Sequence, residues 1–86
     1  MRLLAELQAL ALRLGIIVRV EPLARGIAET RGGLCRLRGR SFVLVDDSLP
    51  LADRIDVLAA ALATFDLEAF YVSPFVRARI EAARNA

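Results

Sequence analysis

The sequence predicts an α+β domain: a three-stranded, mainly antiparallel sheet with helices packed on one face, in the order α-β-β-β-α-α. Three observations predict it. Leu3, Leu7, Leu10 and Leu14 recur at spacings of 4, 3 and 4, which is one face of a helix. Two short apolar runs, Leu34–Leu37 and Phe42–Val45, flank Arg-Gly-Arg-Ser, the pattern of a β-hairpin. An Ala- and Leu-rich stretch follows the hairpin, and Ser73-Pro74 opens a further helix behind it.

The 86 residues read as a single domain, 1–86. In chain order, the first helix carries the leucine stripe, widened by Leu4 and Ala11, and Gly15 suits a residue just past its end, where φ is positive. The stripe is a core face or a dimer seam. Ile16 to Val20 then reads as a strand closed by Pro22, with Ile16, Val18 and Val20 on one side and Ile17 and Arg19 on the other. Residues 23–32 have no period and form a long connection, of the kind that carries function.

In the hairpin, a two-residue turn at Gly39-Arg40 suits type II′ geometry, with Gly first. That register pairs Leu37 with Phe42 and Cys35 with Leu44, and puts Cys35, Leu37, Phe42 and Leu44 together on the face expected to be buried. Arg36 and Arg38 share the opposite side, with Arg40 in the turn. Asp46-Asp47-Ser48 offers N-cap oxygens, and Pro50 fits the first turn of a helix marked by Leu51, Ile55, Leu58 and Leu62. That helix is apolar nearly all round, as expected of one lying between two layers. Asp66 caps a short turn, and a last helix runs from Ser73-Pro74 to about Arg84.

Composition excludes much chemistry. There is no histidine and one cysteine, so Ser-His-Asp catalysis, His-ligated zinc and thiolate clusters are out of reach. All twelve basic residues are arginine, so no lysine can form a Schiff base, and neither Gly-rich phosphate-binding motif is present. The expected protein has no cofactor, no metal and no catalytic residues. Cys35, with no base to activate it, reads as a small buried hydrophobe. Asp46, Asp47, Asp53 and Asp56 admit a hard-cation or acid–base reading, but their spacing is not that of a calcium loop and suits a helix N-terminus. Glu6, Gln8 and Arg13 interrupt any signal-peptide core, and no apolar run approaches the ~18–20 residues of a membrane span. A cytoplasmic protein is expected, with no membrane partner.

Two sets of residues stand out as binding candidates. Arg25, Arg31, Arg36, Arg38 and Arg40 crowd one third of the chain, and Arg36, Arg38 and Arg40 in the hairpin are the candidate anion site. They would suit nucleic acid or another anionic ligand, but no aromatic is interleaved with them for base stacking, and net charge is only +2. The other reading is an edge-protecting, solvated face. The second set is apolar. Hydrophobic residues make up 57% of the chain, more than a core of this size can hide, since small domains bury only about 60–65% of their unfolded surface. The surplus predicts a homo-oligomer or another protein partner. Leu3, Leu7, Leu10, Phe70, Tyr71 and Phe75 are the candidate interface, the last three belonging to a cluster of aromatics around Ser73-Pro74.

Gly-Gly-Leu-Cys-Arg-Leu-Arg-Gly, Val-Leu-Val-Asp, Leu-Pro and Phe-Asp-Leu-Glu-Ala resemble a group of small uncharacterised bacterial proteins of about this length, a likeness that brings no function. Residues 33–65 are also similar in pattern to the core of IrrE/ImmA-type zinc metallopeptidases. In those enzymes a Gly-containing hairpin and an Ile-x-Asn/Asp element precede a helix bearing His-Glu-x-x-His, whose histidines hold zinc while the glutamate activates water. Here Ile55-Asp56-Val57-Leu58 precedes Ala59, Ala60 and Ala63 at the motif positions. The resemblance implies a zincin-like scaffold without metal or base. The expected function is therefore a non-enzymatic domain acting by protein–protein contact or as a structural part; the alternative is anion binding through the arginines.

Overall fold

A computed structural model describes residues 2–23 and 32–85. Three helices and three strands follow in the expected order: α1 (Arg2–Arg13), β1 (Ile17–Glu21), β2 (Gly32–Leu37), β3 (Arg40–Asp46), α2 (Leu51–Leu62) and α3 (Pro74–Arg84). The connection 23–32 falls, apart from Leu23 and Gly32, outside the described residues, as do Arg25 and Arg31.

The leucine stripe of α1 is a core face. Leu7, Leu10 and Ala11 are buried, and Leu3, Leu4 and Leu14 pack against the core beside them. Gly15 ends the helix at φ 77°. The Ile16 amide donates to the Ala11 carbonyl at 2.9 Å and the Gly15 amide to Leu12 at 3.0 Å. These are the two hydrogen bonds of a Schellman cap, and they take up carbonyls that the helix end would leave bare. The cap claims Ile16, so the strand begins one residue later than its side-chain pattern suggests, with Ile16 itself buried.

The sheet is mixed, with strand order β1-β3-β2. β3 is central. It pairs in parallel with β1, Ile17 opposite Phe42 through Glu21 opposite Asp46. It pairs antiparallel with β2, Leu37 opposite Arg40 through Gly32 opposite Val45. The hairpin register therefore differs from the expected one. The two turn residues are Arg38 and Gly39, both at positive φ (54° and 78°), as a type I′ turn requires. Arg38 tolerates a conformation usually left to Gly or Asn, and Gly39 takes the second position instead of the first. Cys35 consequently faces Phe42, and Arg36 faces Ser41.

All three helices lie on one side of the sheet. Val43 and Val45 of β3 are buried with Ile16, and Val18 packs against the same core. The other face of β3, Phe42 and Leu44, is only half-buried. The face holding Cys35, Leu37, Phe42 and Leu44 was expected inward; it points away from the helices. Cys35 is exposed rather than buried. The reason lies in β1. Parallel pairing puts Arg19 and Glu21 on the side of Phe42 and Leu44. Covering that side would bury two charges, whereas covering Ile16, Val18, Val43 and Val45 buries none. Arg36 pays no penalty for its place on the inner side, because it stands near the turn and is exposed.

α2 lies between layers, touching α1, α3 and the hairpin strands. Ile55, Val57, Leu58, Ala59, Ala61 and Leu62 are buried on it. Its start departs from expectation. Pro50 is the N-cap residue and no side chain caps the helix. The Asp46 carboxylate instead accepts from the Ser48 amide and hydroxyl. The Arg54 guanidinium reaches back to the carbonyls of Leu49 (3.0 Å) and Asp47 (2.6 Å), tying the β3–α2 connection to the helix it feeds. The later expectations hold: the Asp66 carboxylate accepts from the Glu68 amide, and Ser73 caps α3 through the Val76 amide ahead of Pro74 at the first turn. Arg79 of α3 pairs with Asp56 of α2 across the helix interface.

Candidate interaction surfaces

The face of the sheet turned away from the three helices is built in rows across the three strands. Arg40 and Leu37 form the row nearest the turn. Ile17, Phe42 and Cys35 form the next, and Arg19, Leu44 and Gly33 the third. Glu21 and Asp46 close the far end. The middle is apolar, and no described element packs over it. Leu37 is 62% exposed, while Ile17, Phe42 and Leu44 are half-buried. Arg19 and Glu21 pair at 3.3 Å along β1. This face was missed as a binding candidate because its apolar residues were assigned to the core; their alternation was readable, their side was not.

A second apolar surface lies between α1 and α3. A recess of about 150 Å³ is lined by Ala9, Leu10 and Arg13 of α1 and by Tyr71, Val72 and Val76, among others. Tyr71, on the rim of the recess, is 75% exposed, and Phe75, in the first turn of α3, is 61% exposed. Arg13 holds the recess together: its guanidinium donates to the Tyr71 carbonyl at 2.9 Å and lies over the Phe70 ring, 5.7 Å from its centre.

The six residues predicted as an interface thus separate. Leu7 and Leu10 are consumed by the chain's own core and have no surface to offer a partner. Leu3 and Phe70 pack against that core and are half-buried. Tyr71 and Phe75 remain available. Leu12, at 77% exposure, was not predicted; it lies outside the leucine stripe.

The hairpin arginines separate as well. Arg38 occupies the turn, Arg36 the inner side of β2 and Arg40 the outer side of β3. All three are exposed. They share the tip of the hairpin but not one face, unlike the predicted pair of Arg36 and Arg38 on one side with Arg40 between strands.

Asp46 is engaged by Ser48 and Asp56 by Arg79. No group of three Cys, Asp or Glu residues is placed to hold a metal ion among the described residues. Ala59 lies in the core, Ala60 is exposed, and Ala63, half-buried, follows the last residue of α2. A polar groove of about 310 Å³ between the end of α2 and α3, lined by Asp66, Glu68, Arg77, Glu81 and Arg84 among others, was not foreseen. Its charges are mixed. Arg84 is occupied by Glu81 at 2.8 Å and by the Ala63 carbonyl at 3.1 Å, so it serves to close the end of α2.

No helix among the described residues is long and apolar enough to cross a membrane. No protein-family model, no curated protein and no solved structure matches this chain.

Proposed function

We propose that this chain is a non-enzymatic interaction domain that works by docking a protein on the face of its sheet that no described element covers. One observation carries the reading: Ile17, Phe42, Leu44, Cys35 and Leu37 form a contiguous apolar surface on the side away from all three helices. Contiguous apolar surface, unlike scattered exposed hydrophobics, marks a site of association. The composition supports the same conclusion, with 57% hydrophobic residues in a small domain. On this reading the hairpin and α2 are a scaffold, and Ala59 and Ala63 are packing residues. The setting proposed is the bacterial cytoplasm.

The test is an affinity pulldown from the native host with wild-type chain and with Phe42→Glu. The expected result is one or a few proteins, the chain itself included, retained by wild type and lost by the variant. Identical recoveries from both would refute the reading.

A further inference from the structure

We infer that the occupant of this face is a second copy of the chain, stacked sheet on sheet with its strands running antiparallel to the first. The inference rests on the interaction reading above and names its partner. Three features of the face point to self-association.

The first is charge. Among the described residues, the row at the hairpin end carries Arg40, with Arg38 in the adjoining turn, whereas the far row carries Glu21 and Asp46. A two-fold axis lying between the sheets and across the strands sets each basic end over the partner's acidic end. An axis along the strands would set Arg40 over Arg40 and is disfavoured. Arg19, paired with Glu21 along β1, lies over the partner's Ile17 in this arrangement; covering that pair costs part of what the apolar contacts gain and keeps the dimer weak, without reversing the order of the ends.

The second is shape. The same axis, passing midway between the rows of Phe42 and Leu44, places each Phe42 over the partner's Leu44. The neighbour of Leu44 on β2 is Gly33, which has no side chain and leaves a hollow beside it. The same axis sets Cys35, the neighbour of Phe42 on β2, over the partner's Gly33, so each copy offers one side chain and one hollow at equal distances from the axis. This is the self-complementarity an isologous dimer needs.

The third is extent. Three strands about 4.8 Å apart and four rows about 6.7 Å apart give a footprint of about 400 Å². That is well under the roughly 800 Å² per partner of a standard stable interface. A face this small suits a reversible dimer better than a permanent one, and stacked sheets of this kind sit about 10 Å apart.

The decisive measurement is sedimentation equilibrium over roughly 5–500 µM, the range suited to an interface below standard size. Wild type should pass from monomer to dimer. Phe42→Glu should weaken dimerisation by at least about tenfold, the effect of a buried unpaired charge. Arg40→Glu lies at the exposed hairpin end, so its folding is not in question, and it should weaken dimerisation several-fold; so should Glu21→Arg. Mixing these last two should restore association as a heterodimer, because in the antiparallel arrangement each end then meets its opposite. Tyr71→Ser should leave the constant unchanged. A wild type that stays monomeric throughout overturns the inference, as does a dimer lost in Tyr71→Ser but kept in Phe42→Glu, or a mixture that fails to recover. If wild type is monomeric yet the pulldown still yields a Phe42-dependent partner, the interaction reading stands and only the second copy is wrong.

Discussion

Val43 and Phe42 are neighbours on β3 that differ in the side of the sheet they occupy, and truncating each to Ala measures which side is the core. By side-chain size Phe42→Ala should be the worse change, since a fully buried Phe→Ala costs about 3–5 kcal/mol. The structure reverses the order. Val43 is fully buried beneath the helices. Val43→Ala removes two methyl groups, about 0.8 kcal/mol each in transfer energy, and leaves a void that close-packed neighbours fill poorly, for a total of about 2–3 kcal/mol. Phe42 is half-buried and borders solvent, so no closed cavity forms, and its loss should cost about 1–2 kcal/mol, less than that of Val43. Urea unfolding followed by circular dichroism reads the difference. With a slope near the low end for small proteins, about 1 kcal/mol per M, the midpoints should fall by about 2–3 M and about 1–2 M respectively. The experiment belongs at low micromolar concentration, where dimerisation adds nothing to stability. A Phe42→Ala midpoint lower than that of Val43→Ala would mean that the helices cover the opposite face. The interaction reading would fall with it.

Two further outcomes are expected. Cys35 is exposed on β2, so a thiol reagent should label native protein at low concentration nearly as fast as unfolded chain, with slower labelling as concentration rises into the dimer range. Gly32→Ala and Gly39→Ala should differ, although both sit at positive φ. A Cβ at Gly32 would lie 1.9 Å from the Leu44 carbonyl oxygen, whereas at Gly39 it meets nothing within 4 Å. The first should cost about 2–4 kcal/mol through displacement of the β2–β3 ladder, and the second about 1 kcal/mol from backbone strain alone, both read by thermal or urea unfolding.

Much of the fold was legible because its signals are local. The leucine stripe, Gly15 as a helix end and Ser73-Pro74 as a helix start each depend on a few adjacent residues, and the structure places all three as read. What was not legible depended on residues far apart. β3 reads Phe-Val-Leu-Val, apolar on both sides, so its own pattern cannot say which side is inward. The answer comes from Arg19 and Glu21, which sit beside β3 only because β1 joins it in parallel. The turn register was missed because Arg38 adopts a positive φ that its residue type disfavours. The two errors had one effect on the candidate site: the apolar hairpin face was assigned to the core, and the leucines of α1 were left to supply an interface that Leu7 and Leu10 do not have.

The position of β3 between its two neighbours has a consequence for how the chain reaches this state. β3 meets β2 across two turn residues but meets β1 across the eighteen that separate Glu21 from Arg40. Closing the longer loop costs about 2 kcal/mol more in chain entropy by the logarithmic law. The hairpin is the cheaper contact to form first, and the parallel ladder must wait for it. Until β1 arrives, the inner strand of the finished sheet is an outer one, with a row of amides and carbonyls open along Phe42–Asp46. An open edge of that kind is a template for the wrong strand as well as the right one. In this protein the hazard of misassembly therefore lies in the interval before its first strand docks, on a surface that the folded molecule no longer shows.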